Sequence, residues 1–259
     1  AEAQRLAEVI DDQASVAKAL VCAGSLALYR GDYATAHQNY AQGLAIRRRL
    51  ADQPNIANTL SDLAITAANQ GDLAQASSLF MESLAIRRAL GDQWGVANSR
   101  NNLGELALMQ ERYADARAHL EEAVTIYRTI GDQWNLGNAV LTLGNILRAQ
   151  GDYQSAYPRY QESLQIYRAL GDQRALAYLL ESLGGLLSLQ GEATRALRLV
   201  GAAATLRTTL NTPLSPAEQS QLDQALAPAW QRLGADAPAI WESGRGLRLA
   251  QALGEALGS

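Results

Sequence analysis

This chain of 259 residues has little cysteine and no long apolar run. Its one cysteine, Cys22, excludes an internal disulfide framework and agrees with a reducing cytosol. No apolar stretch approaches the ~18 residues that a transmembrane helix needs, and the first residues lack the pattern of a signal peptide. The sequence therefore predicts a cytoplasmic protein with no membrane partner.

An excess of basic charge is also missing. The chain has 22 Lys and Arg residues against 26 Asp and Glu residues, for a net charge of -4. Because binding to a phosphate backbone needs a basic surface, we expect no direct contact with nucleic acid. Gly and Pro are too few for a disordered or collagen-like chain, while the 48% of apolar residues can supply a continuous core.

Groups of residues that carry out catalysis are missing as well. His37 and His119 are isolated from each other and from other metal-ligating residues, so the spacing of a metal site is absent. The glycines lie at turns, without the lysine of a phosphate-binding loop or the spacing of a dinucleotide-binding turn. We expect no catalytic residues, no metal and no cofactor, and we predict that this chain is not an enzyme.

The feature that is present is a unit that returns every 40 residues. An Asp-Gln pair marks each return, at Asp12-Gln13, Asp52-Gln53, Asp92-Gln93, Asp132-Gln133 and Asp172-Gln173. A fixed period of 20–50 residues is typical of repeat proteins, whose units bury their apolar faces only by stacking on neighbours. Such proteins mostly bind partners.

Each unit has the pattern of two helices. In the fourth copy, a first apolar face consists of Leu136, Val140, Leu143, Gly144 and Leu147. Gly151-Asp152 then combines a residue suited to the left-handed end of a helix with one suited to the next N-cap. A second apolar face follows from Tyr153 to Leu170 and ends at Gly171-Asp172. The unit is therefore predicted to be an antiparallel helix pair with two tight turns.

Small and large residues alternate between the paired helices. Small residues recur in the first helix at Gly24, Ala64, Gly104, Gly144 and Gly184, and in the second at Ala36, Ala76, Ala116, Ala156 and Ala196. Large residues recur opposite them at Tyr40, Phe80, Leu120, Tyr160 and Val200. Because Gly inside a helix costs about 1 kcal/mol relative to Ala, its recurrence indicates close helix packing.

This pattern resembles the tetratricopeptide repeat. The residues that match its motif in order are Val140, Leu143-Gly144, Leu147, Gly151-Asp152-Tyr153, Ala156, Tyr160 and Ser163. HEAT repeats share the length of ~40 residues but not this placement of Gly and Ala. The resemblance covers residues 11–210 and implies an all-α fold, an α-α superhelix of helix-turn-helix repeats.

The period also sets the expected boundaries. We predict five repeats, at residues 11–50, 51–90, 91–130, 131–170 and 171–210. Residues 1–10 match the end of a second helix, because Glu2, Leu6 and Ile10 precede Gln42, Ile46 and Leu50 by one period of 40 residues. We therefore expect residues 1–10 to belong to a preceding repeat of a longer polypeptide. Residues 211–259 break the period and are expected to form a helical cap, in which Ser215-Pro216-Ala217-Glu218 starts a helix.

The first helices carry polar residues on their outer face. In tetratricopeptide arrays the first helices line a concave face, and a column of Asn there resembles that of kinesin light chains and spindle-orientation scaffolds, which hold extended peptides. The candidate peptide-binding residues are Asn58, Asp62, Asn98, Asn101, Asn102, Asn138, Thr142, Asn145 and Tyr178. Each amide offers a donor and an acceptor to a peptide backbone. The alternative is that these Asn residues bridge adjacent helices or face water.

Two further columns accompany the repeat. Trp94 and Trp134 share one register near the start of first helices, where they either pack between repeats or form an aromatic rim. An Arg column consists of Arg48, Arg88, Arg128 and Arg168. It lies in the last turn of second helices, four residues before the Asp of each pair, so we expect local ion pairs and a favourable interaction with the helix dipole.

The segment Leu143–Tyr153 and the tail from Ala196 to Leu247 resemble the C-terminal repeats of bacterial STAND signalling ATPases and LuxR-type transcription regulators. This resemblance implies a sensor arm that binds a protein, a peptide or a small-molecule inducer in the groove and shifts a conformational equilibrium. The alternatives are a free-standing scaffold that assembles proteins and, less favoured, an accessory domain of an enzyme. The sequence contains no ATPase or DNA-binding motif.

Overall fold

A computed structural model describes the backbone of residues 2–258 and the side chains of residues 12–258. Within that range the chain is helical and contains no strand. The α-helices are α1 (Glu2–Tyr29), α2 (Tyr33–Arg49), α3 (Gln53–Asn69), α4 (Leu73–Leu90), α5 (Gln93–Met109), α6 (Tyr113–Ile130), α7 (Gln133–Ala149), α8 (Tyr153–Leu170), α9 (Gln173–Leu189), α10 (Ala193–Leu210), α11 (Pro216–Leu233), α12 (Ala237–Arg245) and α13 (Leu249–Leu257). A 3₁₀ turn at Gly234–Asp236 joins α11 to α12.

The recurring Asp residues are N-caps, which confirms the interpretation of the turns. The Asp52 carboxylate accepts a hydrogen bond from the backbone N–H of Asn55, and Asp152 accepts one from Ser155 in the same way. Each bond satisfies one of the N–H groups that a helix start leaves without a partner. Gly91 has a φ of 69°, in the left-handed region that glycine adopts without steric cost.

Three turns place a residue with a side chain in that left-handed position. Ala51 has a φ of 54°, Glu111 a φ of 57° and Asn211 a φ of 52°. Asn tolerates this region, but for Ala51 and Glu111 a Cβ crowds the neighbouring carbonyl oxygen and costs roughly 1–2 kcal/mol. These two turns lie between packed helices, α2 and α3 in one case and α5 and α6 in the other, and this packing holds the conformation.

The chain forms two compact units, residues 1–130 and 131–259. In the first, α1 pairs with α2, α3 with α4 and α5 with α6, and α3 and α5 each also pack on the preceding second helix. A Cβ added to Gly24 would stand 2.9 Å from the ring of Tyr40, and one added to Gly104 would stand 2.7 Å from Leu120 Cγ. The small residues of the first helices therefore make room for the large residues of the second, as predicted.

In the second unit, α7 pairs with α8 and α9 with α10, and the last three helices pack on these pairs. The close approach of Gly144 to Tyr160 repeats the arrangement, with 2.9 Å to the added Cβ. The helix α11 begins with the predicted capping box, in which Ser215 and Glu218 exchange side chain–backbone hydrogen bonds. The helix α13 is fixed by the ion pair of Arg198 with Glu255, 2.5 Å between Nη2 and Oε1.

Two expectations differ from the structure. No turn separates residues 1–10 from 11–50, because α1 continues through Asp11-Asp12. Asp11 occupies the position that holds glycine at 91, 131 and 171. The side-chain pattern of residues 1–10 lies outside the described side chains, and Ala1 lies outside the described backbone.

Two residues of the Arg column, Arg48 and Arg88, make ion pairs other than the local ones expected of them. Arg48 instead pairs with Glu82 at 2.6 Å, and Arg88 with Glu122 at 2.9 Å, each in the next second helix along the chain. The carboxylates of Asp52 and Asp92 are engaged by N–H groups as N-caps. Arg87, one residue before Arg88, lies 3.5 Å from Asp92.

Candidate functional site

The nine candidate residues lie on first helices of both units. Asn58 and Asp62 belong to α3, and the group Asn98, Asn101 and Asn102 to α5, all in the first unit. The second unit carries Asn138, Thr142 and Asn145 on α7 and Tyr178 on α9. The unit boundary at residues 130–131 divides the set, so each part is described by itself.

Asn58 is exposed but already has a protein partner. Its Oδ1 accepts a hydrogen bond from Arg87 Nη2 at 2.9 Å. Arg87 is buried, with 4% of its surface exposed, and its Nε also donates to Ser83 Oγ at 3.2 Å. The guanidinium is thus fixed beneath the face, and Asn58 keeps its Nδ2 hydrogens for another acceptor.

Asp62 lies near two buried guanidinium groups. Burial raises the pKa of Asp62 to about 6, against the opposing effect of Arg47 and Arg87. Arg47 is held by the carbonyl oxygen of Asn55 at 3.0 Å and by the hydroxyl of Thr59. Because burial also lowers the pKa of both arginines, the low polarity of this site outweighs the attraction between its charges.

The three Asn residues of α5 differ in their exposure. Asn98 and Asn102 are half-buried and share a long hydrogen bond, 3.4 Å from Nδ2 of Asn102 to Oδ1 of Asn98. Asn101 is buried, and its Nδ2 donates to Glu105 Oε1 at 2.9 Å. The carboxylate of Glu105 keeps access to water on one side, yet the protein atoms crowded around it raise its pKa, and the bond from Asn101 partly offsets this rise.

In the second unit the structure brings four candidate residues into one cleft. Asn138, Thr142, Asn145 and Tyr178 line a space of about 520 Å³ between α7 and α9. The other lining residues are Trp134, Leu141, Tyr167, Asp172, Arg174 and Ala175. The volume lies within the range of roughly 300–1,000 Å³ that is common for ligand sites. Amide, hydroxyl, aromatic and charged groups therefore converge on one cleft.

The polar groups of this cleft are held in place by second-helix tyrosines. The hydroxyl of Tyr160 donates to Asn145 Oδ1 at 2.8 Å, and the hydroxyl of Tyr167 donates to the carbonyl oxygen of Trp134 at 3.2 Å. Burial raises the pKa of both tyrosines to about 12, so they remain protonated donors at neutral pH. Asn145 therefore keeps its Nδ2 hydrogens for another acceptor.

Trp134 lies at the edge of the cleft. More than half of its side chain, 55%, is exposed, and its Nε1 donates to Asp172 Oδ2 at 3.4 Å. Of the two roles considered for this position, the structure shows the aromatic rim for Trp134. Trp94, at the same register of α5, is 48% exposed.

Sequence reasoning missed the residues beneath the face. The register at Arg47, Arg87, Tyr127 and Tyr167 is buried, and it supports the outer residues of α3 and α7 in the bonds described above. It lies one residue before the Arg column that the sequence suggested. Along a helix one residue is a rotation of about 100°, which separates an exposed position from a buried one. The signal that could have revealed these residues is a polar residue that recurs at a position which helix packing buries.

Among the described residues, no group of three or more His, Cys, Asp or Glu side chains could hold a metal ion. No helix in the described part of the chain is long and apolar enough to cross a membrane.

Comparison with known families identifies the repeat. The tetratricopeptide repeat model matches residues 15–89, 55–129 and 136–209, which together are more than half of the chain. The chain therefore belongs to the tetratricopeptide repeat family, and the predicted all-α fold of this type is confirmed. The family is one of protein-interaction modules and its fold is typically a non-enzymatic scaffold. The sequence matches no curated protein.

Solved structures share the fold at low sequence identity. BtubC from P. vanneervenii is 20% identical with a TM-score of 0.72, and the match covers 83% of this chain and 89% of that one. RapI in its apo form is 16% identical with a TM-score of 0.69, covering 95% and 85%. Aspartyl phosphate phosphatase F from Bacillus subtilis is 11% identical with a TM-score of 0.66, covering 89% and 70%. These similarities concern the fold alone.

Proposed function

We propose that this chain binds an extended peptide segment of a protein partner along the outer face of its first helices. The observation that carries the proposal is the cleft between α7 and α9, where Asn138, Thr142, Asn145 and Tyr178 converge. An extended peptide exposes an N–H and a C=O at every residue, and an amide side chain can pair with either. The Trp134 rim and Tyr178 offer apolar surface for peptide side chains.

The proposal extends to Asn58, Asp62, Asn98 and Asn102 in the first unit. The hydrogen bond from Arg87 fixes the orientation of the Asn58 amide, so its Nδ2 hydrogens are oriented before any ligand binds. A group fixed in advance loses less conformational entropy on binding. Asn101, which is buried and bonded to Glu105, supports this surface from below.

At the level of the cell, we propose a cytoplasmic sensor arm of a bacterial signalling ATPase or transcription regulator. The resemblance of Leu143–Tyr153 and of the tail to STAND and LuxR-type arrays supports this role. The alternative is a free-standing scaffold. A phosphate-binding loop in the same polypeptide upstream of residue 1 would favour the sensor arm, and an uninterrupted array of repeats would favour the scaffold.

A selection from an unbiased library of peptides displayed on phage tests peptide binding. The dissociation constants of the selected peptides are then compared between the wild type and Asn98→Ala combined with Asn138→Ala. Each lost hydrogen bond weakens binding by roughly 0.5–1.5 kcal/mol, so the double variant is expected to bind about tenfold more weakly.

The matched control is Asn39→Ala, on the second helix α2, away from the first-helix face. This variant is expected to bind the same peptides with unchanged affinity. Selected peptides that bind the double variant as tightly as the wild type would contradict the proposal.

A further inference from the structure

A second cavity in the C-terminal unit lies apart from the peptide cleft. It measures about 440 Å³ and is open to solvent on one side, and its walls are α10, the turn at residues 211–215, α11 and α12, with one residue from α9. We name it the cap pocket, lined by Glu181, Val200, Ala204, Arg207, Thr208, Asn211, Pro213, Leu214, Gln219, Leu222 and Trp241. It shares no lining residue with the cleft between α7 and α9.

The cap pocket exists because one face of α10 carries smaller residues than any earlier copy. The register of Val200 holds Tyr40, Phe80, Leu120 and Tyr160 in the preceding second helices. The register of Ala204 holds Leu44, Leu84, Val124 and Leu164, and that of Thr208 holds Arg48, Arg88, Arg128 and Arg168. Val200, Ala204 and Thr208 follow at intervals of four residues, so they share one helix face, and all three line the pocket.

The cap helices do not fill the space that these smaller residues leave. They do approach α10 closely at its neighbouring positions, where a Cβ added to Gly201 would stand 3.0 Å from the backbone nitrogen of Arg245. Close packing at Gly201 therefore stands beside an open cleft at Ala204. A cleft with mainly apolar walls and a few polar groups is a common kind of binding site for a small molecule.

The walls of the cap pocket are mainly apolar and carry no net charge. Val200, Ala204, Leu214, Leu222 and Trp241 supply aliphatic and aromatic surface. The two charged residues neutralise each other in a bidentate pair, with 2.5 Å from Arg207 Nε to Glu181 Oε1 and 2.7 Å from Nη2 to Oε2.

The arginine of this pair makes one more hydrogen bond within the protein. Arg207 Nη1 donates to the carbonyl oxygen of Thr212 at 3.2 Å, which fixes the guanidinium against the turn. A charged ligand would therefore have to compete with an existing pair, whereas a neutral ligand would leave it intact. Neutral polar groups also line the pocket at Thr208, Asn211 and Gln219. The Thr208 hydroxyl already donates to the carbonyl oxygen of Ala204 and the Gln219 amide donates to Asp223, so their oxygen atoms remain as acceptors for a ligand.

We infer that the cap pocket binds a small uncharged molecule with a mainly apolar body and a single hydrogen-bonding group. The apolar body contacts Ala204, Leu222 and Trp241, and the polar group reaches the amides or the hydroxyl at the pocket wall. No residue lines both this site and the cleft between α7 and α9, so the two proposals can be tested by different variants.

The fluorescent probe N-phenyl-1-naphthylamine tests the inference, since it is uncharged, mainly apolar and carries one N–H. Titration into the wild-type chain is expected to give a saturable rise in fluorescence with one site per chain. Excitation of tryptophan should also transfer energy to the bound probe, and Trp241→Phe should reduce this transfer, because Trp241 lines the pocket.

The decisive variant is Ala204→Leu, which restores the residue found at positions 44, 84 and 164 and places a larger side chain in the pocket. It is expected to weaken probe binding at least tenfold while it keeps the helical circular dichroism and the thermal midpoint of the wild type or raises the midpoint. The matched control is Ala169→Leu, an exposed position on α8, which is expected to bind the probe as the wild type does.

Two results would overturn the inference. One is a probe signal that does not saturate or that is equal in Ala204→Leu and in the wild type. The other is concentration-dependent dimerisation in gel filtration that Ala204→Leu abolishes, which would assign the pocket to a second copy of the chain. Asn98→Ala combined with Asn138→Ala is expected to leave probe binding unchanged, so failure of the peptide proposal remains distinguishable.

Discussion

The helix α3 of the first unit and the helix α7 of the second are supported from beneath by different side chains. In residues 1–130, the buried guanidinium groups of Arg47 and Arg87 lie beneath α3 and hold Asn55, Asn58 and Thr59. In residues 131–259, tyrosine rings take this place beneath α7, where Tyr160 and Tyr167 hold Asn145 and the backbone of Trp134. Both arrangements fix polar groups on the first helix, one with buried charge and the other with neutral hydroxyl donors.

The difference has energetic consequences. A buried charge loses its hydration, so it is stable only while each partner is present, and removing one partner is costly. A tyrosine contributes mainly the burial of its ring, and its hydroxyl adds one ordinary hydrogen bond. We therefore expect polar substitutions to be more damaging, and more dependent on pH, in the first unit than in the second.

The largest effect is expected for Arg87→Met. It removes the donor to Asn58 and Ser83 and a cation beside Asp62, and it should lower the free energy of unfolding by about 3 kcal/mol at pH 7. Urea unfolding measures this change. The matched control is Arg88→Met, whose exposed pair with Glu122 should contribute less than about 1 kcal/mol. Equal losses in the two variants would remove the contrast between buried and exposed charge.

The next largest effect is expected for Asp62→Asn, which should change how stability depends on pH. The folded state raises the pKa of Asp62 to about 6, above the value of about 4 in an unfolded chain, so the folded state binds the proton more tightly between these values. The free energy of unfolding of the wild type should therefore fall as pH rises from about 4 to 6. Asp62→Asn should lack this fall, and the difference between the two curves should change by about 1–3 kcal/mol across the window.

Urea unfolding between about pH 4 and pH 7 measures the two curves. The amide of Asp62→Asn differs from a carboxyl group in shape and hydrogen bonding, which adds an offset at every pH, so only the pH-dependent part tests the prediction. Asp223→Asn, at an exposed position of α11, is the control and should follow the wild type. A pH-independent difference would show that Asp62 is not perturbed in the folded state.

A smaller effect is expected for Tyr160→Phe in the second unit. The ring stays packed against Gly144, but Asn145 loses the hydroxyl donor, so the free energy of unfolding should fall by about 1 kcal/mol. Position 160 corresponds to position 80 of the first unit, which already holds a phenylalanine, Phe80. Tyr153→Phe is the control, since its hydroxyl makes no hydrogen bond among the described residues, and it should change stability less. A loss as large as that of Arg87→Met would contradict the comparison.

The smallest effect is expected for Trp134→Phe. The bond from Trp134 to Asp172 is long, 3.4 Å, and the side chain is mostly exposed, so stability should change by less than about 0.5 kcal/mol. Thermal unfolding measures this change, and peptide affinity measures the role of the rim separately. A loss of stability above about 1 kcal/mol would indicate that Trp134 packs as a structural residue.

The sequence was sufficient to predict the repeat because helix capping and turn formation each depend on a few neighbouring residues. The Gly-Asp turns, the N-cap bonds of Asp52 and Asp152 and the capping box of Ser215 depend on local backbone geometry, and all are present in the structure. The pairing of Gly144 with Tyr160 follows from a fixed period, which places the same two positions in contact in every copy.

The parts that could not be predicted depend on packing between distant residues. Whether Arg87 or Arg88 is buried depends on how α4 is rotated against α3, and a period alone does not give this angle. The cap pocket depends on how α11 and α12 fit against α10, for which the sequence has no second copy to compare. The missing glycine at Asp11 does not by itself predict the continuation of α1, since Ala51 also lacks the glycine and still forms the left-handed turn.

The left-handed residues Ala51 and Glu111 have a consequence for motion. Each stores roughly 1–2 kcal/mol of conformational strain that the surrounding helix contacts must hold. Transient opening of the adjoining helix ends releases this strain, so opening is less costly there than at a glycine turn. Both residues lie in the first unit, and the second-unit turns at Gly151, Gly171 and Gly191 carry no such strain. In native-state hydrogen exchange, the amides next to Ala51 and Glu111 should therefore exchange before those of the glycine turns.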